Sequence, residues 1–90
     1  MKQSLEEHLL DLAFTPNERR QIIESGTVTA KRIEDWYIEF DEWASTHERP
    51  HMALTGLMKK QIFKVSGVKK DPETRGIATV GELLRQARLR

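Results

Sequence analysis

Apolar residues recur along most of this chain at three- and four-residue spacing, the period of a helix with one buried face. Leu5, Leu9, Leu12 and Ala13 share such a face in "SLEEHLLDLA", where Ser4 and Glu7 stand at capping-box spacing, and predict a first helix. Thr15-Pro16-Asn17-Glu18 repeats that start signal with proline at the first helical position. Ile22 and Ile23 anchor the segment and Gly26 stops it, giving a second helix over roughly Pro16 to Ser25. From Thr29 onward, Ile33, Trp36, Tyr37, Phe40, Trp43 and Ala44 form an aromatic stripe, with Glu34, Asp35, Glu39, Asp41 and Glu42 mainly toward the other side. This third helix is expected to organise the core.

Pro50 disfavours helical geometry at Arg49, so the third helix should end between Ser45 and Arg49. Leu54, Leu57, Met58 and Ile62 restore the helical period and predict a fourth helix over about Met52 to Phe63, flanked by Lys59, Lys60 and Lys64. "IFKVSGVKKDPETRGIATV" reads two ways. Its β-branched residues around a turn-rich centre suit a β-hairpin from Phe63 to Val80, and its Gly and Pro content equally suits a loop. Val80, Leu83, Leu84 and Ala87 predict a short terminal helix capped by Thr79 and Glu82, with Arg85, Arg88 and Arg90 suited to its C-terminal dipole. The fold class expected is mainly α: a bundle of four to five helices in one small domain spanning 1–90, winged-helix-like if the hairpin forms.

Composition narrows the function classes. Ninety residues support one modest core, and two tryptophans, one tyrosine and three phenylalanines supply core material that a disordered chain lacks. With no cysteine, disulfide scaffolds, zinc ribbons and thiol nucleophiles are excluded. The acidic start "MKQSLEEHLLDLAF" reads as neither signal peptide nor membrane span, and a cytoplasmic location is expected.

The net charge of +1 conceals a division of the chain. Residues 1–48 carry five basic and eleven acidic side chains, a net of −6, whereas residues 49–90 carry ten basic and three acidic ones, a net of +7. Such asymmetry marks a surface for nucleic acid or an acidic partner, or an attraction between the two halves within the fold or between subunits.

At the junction stands His47-Glu48-Arg49-Pro50-His51. Two histidines four apart with a glutamate after the first copy the HExxH zinc pattern, but proline inside the spacing breaks the helical geometry that the pattern needs, so no metal is expected. "ERPHMALTGL", Glu48 to Leu57, resembles a run near the end of the catalytic domain of RNase H-like insertion-sequence transposases, downstream of a tryptophan-bearing helix as Trp43 is here. Met58-Lys59 replaces the threonine-proline that usually follows, and the acidic catalytic strands of such an enzyme occupy more chain than lies upstream. The resemblance is read as coincidence, or as a fragment without activity.

No catalytic set or cofactor box assembles elsewhere. The five glycines lack phosphate-loop spacing, and Ser4, Ser25, Ser45 and Ser66 sit in cap or turn contexts. A non-enzymatic binding protein without small-molecule substrate is therefore expected, and two kinds compete. In a DNA-binding regulator of helix-turn-helix type, Lys59, Lys60 and Lys64 lie on or beside a recognition helix. Lys69, Lys70 and Arg75 then touch phosphate, and Thr55 or Gln61 reads base edges. In a protein-interaction module, Trp36, Tyr37, Phe40 and Trp43 form an acid-rimmed anchor for a basic partner or for a second copy in a homodimer, provided that the stripe is not wholly core.

Overall fold

A computed structural model describes residues 4–47 and 50–88, apart from the side chains at 5, 50–52, 83–84 and 87–88. Five helices follow one another: α1 Leu5–Ala13, α2 Pro16–Ser25, α3 Ala30–Ala44, α4 Pro50–Ser66 and α5 Ile77–Arg88. Their ends are set by side chains that the sequence pattern singled out. The Ser4 hydroxyl accepts the Glu7 N–H at 3.2 Å and opens α1. At α2, Thr15 Oγ1 accepts the Glu18 N–H at 3.1 Å while the Thr15 N–H donates to Glu18 Oε1 at 2.9 Å, a complete capping box. Gly26 closes that helix at φ 68°, in the left-handed region where glycine carries no Cβ penalty. Thr29 caps α3 by accepting the Arg32 N–H, and α3 ends at Ala44 with Ser45 as its C-cap, one residue ahead of the expected stop between Ser45 and Arg49.

Helix α4 is the hub. It packs against α2, α3 and α5, while α1 packs against α2, α3 and α5. The buried core takes Leu9, Leu10, Ala13 and Phe14 from α1 and its end, Ile22 from α2, Ile33 and Ala44 from α3, Leu54, Met58 and Ile62 from α4, and Val80 from α5. Phe14 meets Phe63 edge to face with ring centroids 5.2 Å apart. The radius of gyration of 12.3 Å matches the roughly 12 Å of a compact chain of this length.

The hairpin alternative is not what forms. Among the described residues there is no strand, so the winged-helix detail falls with it. Helix α4 runs on through Val65 and Ser66, past the predicted stop at Phe63, until Gly67 ends it at φ 72° with its N–H donating to Phe63 O at 2.9 Å. Beyond it, the backbone groups that a strand would pair are satisfied locally or by a distant side chain. Asp71 Oδ1 accepts the Glu73 N–H at 3.1 Å, Asp71 O accepts the Thr74 N–H at 3.0 Å, and the Asp71 N–H donates to Glu18 Oε2 at 2.9 Å. Helix α5 starts at Ile77, two residues ahead of the predicted cap: the Val80 N–H already donates to Gly76 O at 3.1 Å, leaving Thr79 inside the helix.

Candidate basic groove

The loop over 67–76 is fastened to the N-terminal helices by a buried carboxylate. Glu18, 0% exposed, accepts from Thr15 N and Thr74 Oγ1 through Oε1 and from Asp71 N through Oε2. Asp71 Oδ2 in turn accepts from Thr15 Oγ1 at 3.1 Å and Asn17 Nδ2 at 3.4 Å. The Glu73 N–H chiefly holds the Asp71 carboxyl below its ordinary pKa, with Thr15 and Asn17 assisting and desolvation opposing.

A second clamp joins the same elements. Helix α1 has no basic residue in its last turn, and its terminal carbonyls are met by cations from the far half of the chain. Lys59 Nζ donates to Ala13 O at 2.9 Å and to Arg75 O at 3.0 Å, and sits 5.3 Å from the centroid of the Phe14 ring. Arg75 Nη1 donates to Leu12 O at 2.8 Å and Asp11 O at 3.4 Å. Desolvation lowers the pKa of Lys59, reinforced by Lys70 and Arg75, while Glu18 pulls the other way.

Together these clamps shape a groove of about 550 Å³ between α4, the loop and the start of α5. Lys60, Lys70 and Arg75 line it together with the apolar Phe63 and Ile77, and among the described residues no acidic side chain does. The six cations expected at a nucleic-acid surface thus fall into three groups. Lys60, Lys70 and Arg75 converge on the groove. Lys64, one turn beyond Lys60, and Lys69, beside Lys70, are exposed but do not line it. Lys59 is corrected: at 5% exposure, with its ammonium committed to two carbonyl oxygens, it is a clamp and not a phosphate contact. Thr55 is likewise corrected, being 0% exposed and closed to any base edge.

The aromatic stripe divides. Trp36, Tyr37 and Phe40 are half-buried against the core, whereas Trp43 is 51% exposed and, with Glu39, Phe40, Glu42 and Leu57, borders a second groove of about 560 Å³. His47 lies over the Trp43 indole at a centroid distance of 3.7 Å, with Nδ1 at 3.0 Å from Trp43 O, so this histidine belongs to the end of α3. The His51 side chain, like Glu48 and Arg49, lies outside the described residues. No group of three or more metal-ligating side chains occurs among the described residues.

Sequence reasoning assigned Glu18 to a capping box and missed its second role. The partners Asp71 and Thr74 are 53 and 56 positions away, beyond the reach of any local pattern. An acid at the third position of a helix is an ordinary signal, and only a tertiary contact shows what else it holds. The chain matches no family model, no curated protein and no solved structure.

Proposed function

We propose that this is a non-enzymatic regulatory protein that binds DNA through the basic groove, by phosphate contacts from Lys60 and Lys70, with exposed Lys64 and Lys69 and the clamped but exposed Arg75 adding positive charge. The observation that carries the reading is the meeting of cations from two elements on one concavity that no acidic side chain lines among the described residues. Lys60, Lys64, Lys69 and Lys70 make no hydrogen bond or ion pair among the described residues, so their charge is free to replace the counterions of a polyanion. Fluorescence anisotropy with labelled DNA across a salt series tests it. Binding should weaken steeply with salt, and the double substitution Lys60→Glu, Lys70→Glu should abolish it while leaving helical content unchanged. Salt-insensitive binding, or full affinity in the double variant, would refute phosphate tracking by this groove.

A second reading, a protein-interaction module, is favoured by a separate observation: Trp43 is half exposed beside Glu39 and Glu42, and Ile38 on the same helix is 63% exposed. A large aromatic with an acidic rim suits a basic partner, including the basic half of a second copy. Light scattering at low and high salt separates the two. A dimer that dissociates with salt and with Trp43→Ala would assign α3 to self-association, and a monomer throughout leaves it to a different protein.

A further inference from the structure

We infer that the groove takes single-stranded nucleic acid in preference to duplex, with the backbone held at the cationic rim and a base laid on the Phe63 and Ile77 floor. The inference rests on the phosphate-tracking reading above and names the form of the polyanion. Three observations carry it. Helix α4, which a helix-turn-helix reading would place in the major groove, is packed against α2, α3 and α5. It commits Leu54, Thr55, Met58, Lys59 and Ile62 to the interior, and near the groove the exposed positions it offers are Lys60 and Lys64, with Gln61 between them only partly exposed and the single polar candidate left for a base edge. A helix so enclosed does not present a face of base-reading side chains, which direct readout of a duplex requires.

The cations also surround a hollow and not a ridge. A duplex is a stiff convex cylinder whose bases are stacked inside, so it would rest on the rim and leave the floor wet. An unstacked strand bends, and a groove of about 550 Å³ lies within the range of roughly 300 to 1,000 Å³ of small-ligand sites, ample for a base. The floor, finally, is apolar and open. Ile77 is 46% exposed at the first position of α5, and partly exposed Phe63 stands at 79° to the Phe14 ring. Every base has a flat π-face that gains by covering such a surface, and a phosphate gains nothing from it.

Labelled oligothymidine and a duplex of equal length, titrated at one salt concentration with inorganic polyphosphate as competitor, provide the test. Oligothymidine should bind at least about tenfold more tightly than the duplex, the scale of one base stacked on an aromatic side chain such as Phe63. Ile77→Ser should weaken oligothymidine binding severalfold and leave duplex and polyphosphate binding unchanged, with an unaltered thermal melt showing that the fold is intact. Salt-dependent binding of the duplex that equals or exceeds that of the single strand would overturn this inference and leave the phosphate-tracking reading standing. Displacement of oligothymidine by polyphosphate at equal charge, or an Ile77→Ser variant with unchanged preference, would also overturn it by showing the floor to be unused. Absence of binding to both nucleic acids would overturn both readings.

Discussion

Glu18 does three things at one carboxylate. It closes the capping box of α2, receives the backbone of Asp71 and receives the hydroxyl of Thr74. Glu18→Gln keeps the shape but turns an NH2 group toward one of those donors, so at least one buried hydrogen bond is lost. A loss of about 1–3 kcal/mol in urea unfolding is expected. A variant as stable as the parent would mean that the carboxylate is dispensable. Exposure decides the fate of two apolar side chains in the same way. Ile62 is fully buried, and Ile62→Ala should cost about 2–5 kcal/mol, whereas half-exposed Trp43→Ala should cost clearly less by the same urea titration.

Asp71 adds a pH dependence whose sign is fixed by its lowered pKa. A carboxyl more acidic in the folded than in the unfolded chain contributes stability that is complete above the ordinary aspartate value of about 3.9 and is lost as pH falls through the lowered folded value. The loop should therefore loosen only in strong acid. The Glu73 amide resonance, whose N–H the carboxylate accepts, reports this directly. It should shift over that acidic window in the parent and not in Asp71→Asn.

At the scale of elements, the second and third helices were legible because their ends are local chemistry: Thr15 with Glu18, Gly26, and Thr29 each act within one turn. The segment after α4 was not legible, because its conformation depends on partners that no window contains. Val65 and Val68 carry strand-like side chains, yet the backbone of Asp71 goes to Glu18 and Gly67 turns the chain aside. The groove was half legible. The cluster of lysines stands out in the sequence, but which lysine is spent inside follows from the carbonyls at the end of α1, to which Lys59 is bonded across 46 positions. Gly67 tests the turn itself. With nothing within 4 Å of a Cβ added there, Gly67→Ala meets only the backbone penalty of the left-handed region, roughly 1–2 kcal/mol by thermal or urea unfolding.

For the molecule as a whole, opposite net charges on the two halves suggest that attraction between them holds the fold, and the contacts argue otherwise. Two ion pairs among the described residues stay within a half, Arg19 with Asp11 and Arg85 with Glu82. What crosses between halves includes a shared core, the Glu18 carboxylate meeting an N–H and a hydroxyl, the Asp71 carboxylate meeting Thr15 and Asn17, and two cations meeting carbonyl oxygens. The pull of Glu18 on Lys59 is the charge attraction among them. Such short-range contacts are little screened by salt, since the Debye length is already about 10 Å at 0.1 M. The exposed lysines, in contrast, face solvent and any ligand through that screening. Stability and binding should therefore separate along one axis. Raising salt should leave the urea midpoint nearly unchanged while the affinity for nucleic acid falls steeply. If the midpoint instead falls in step with affinity, the charge division is serving the fold, and the lysines around the groove are less free for a ligand than their surroundings imply.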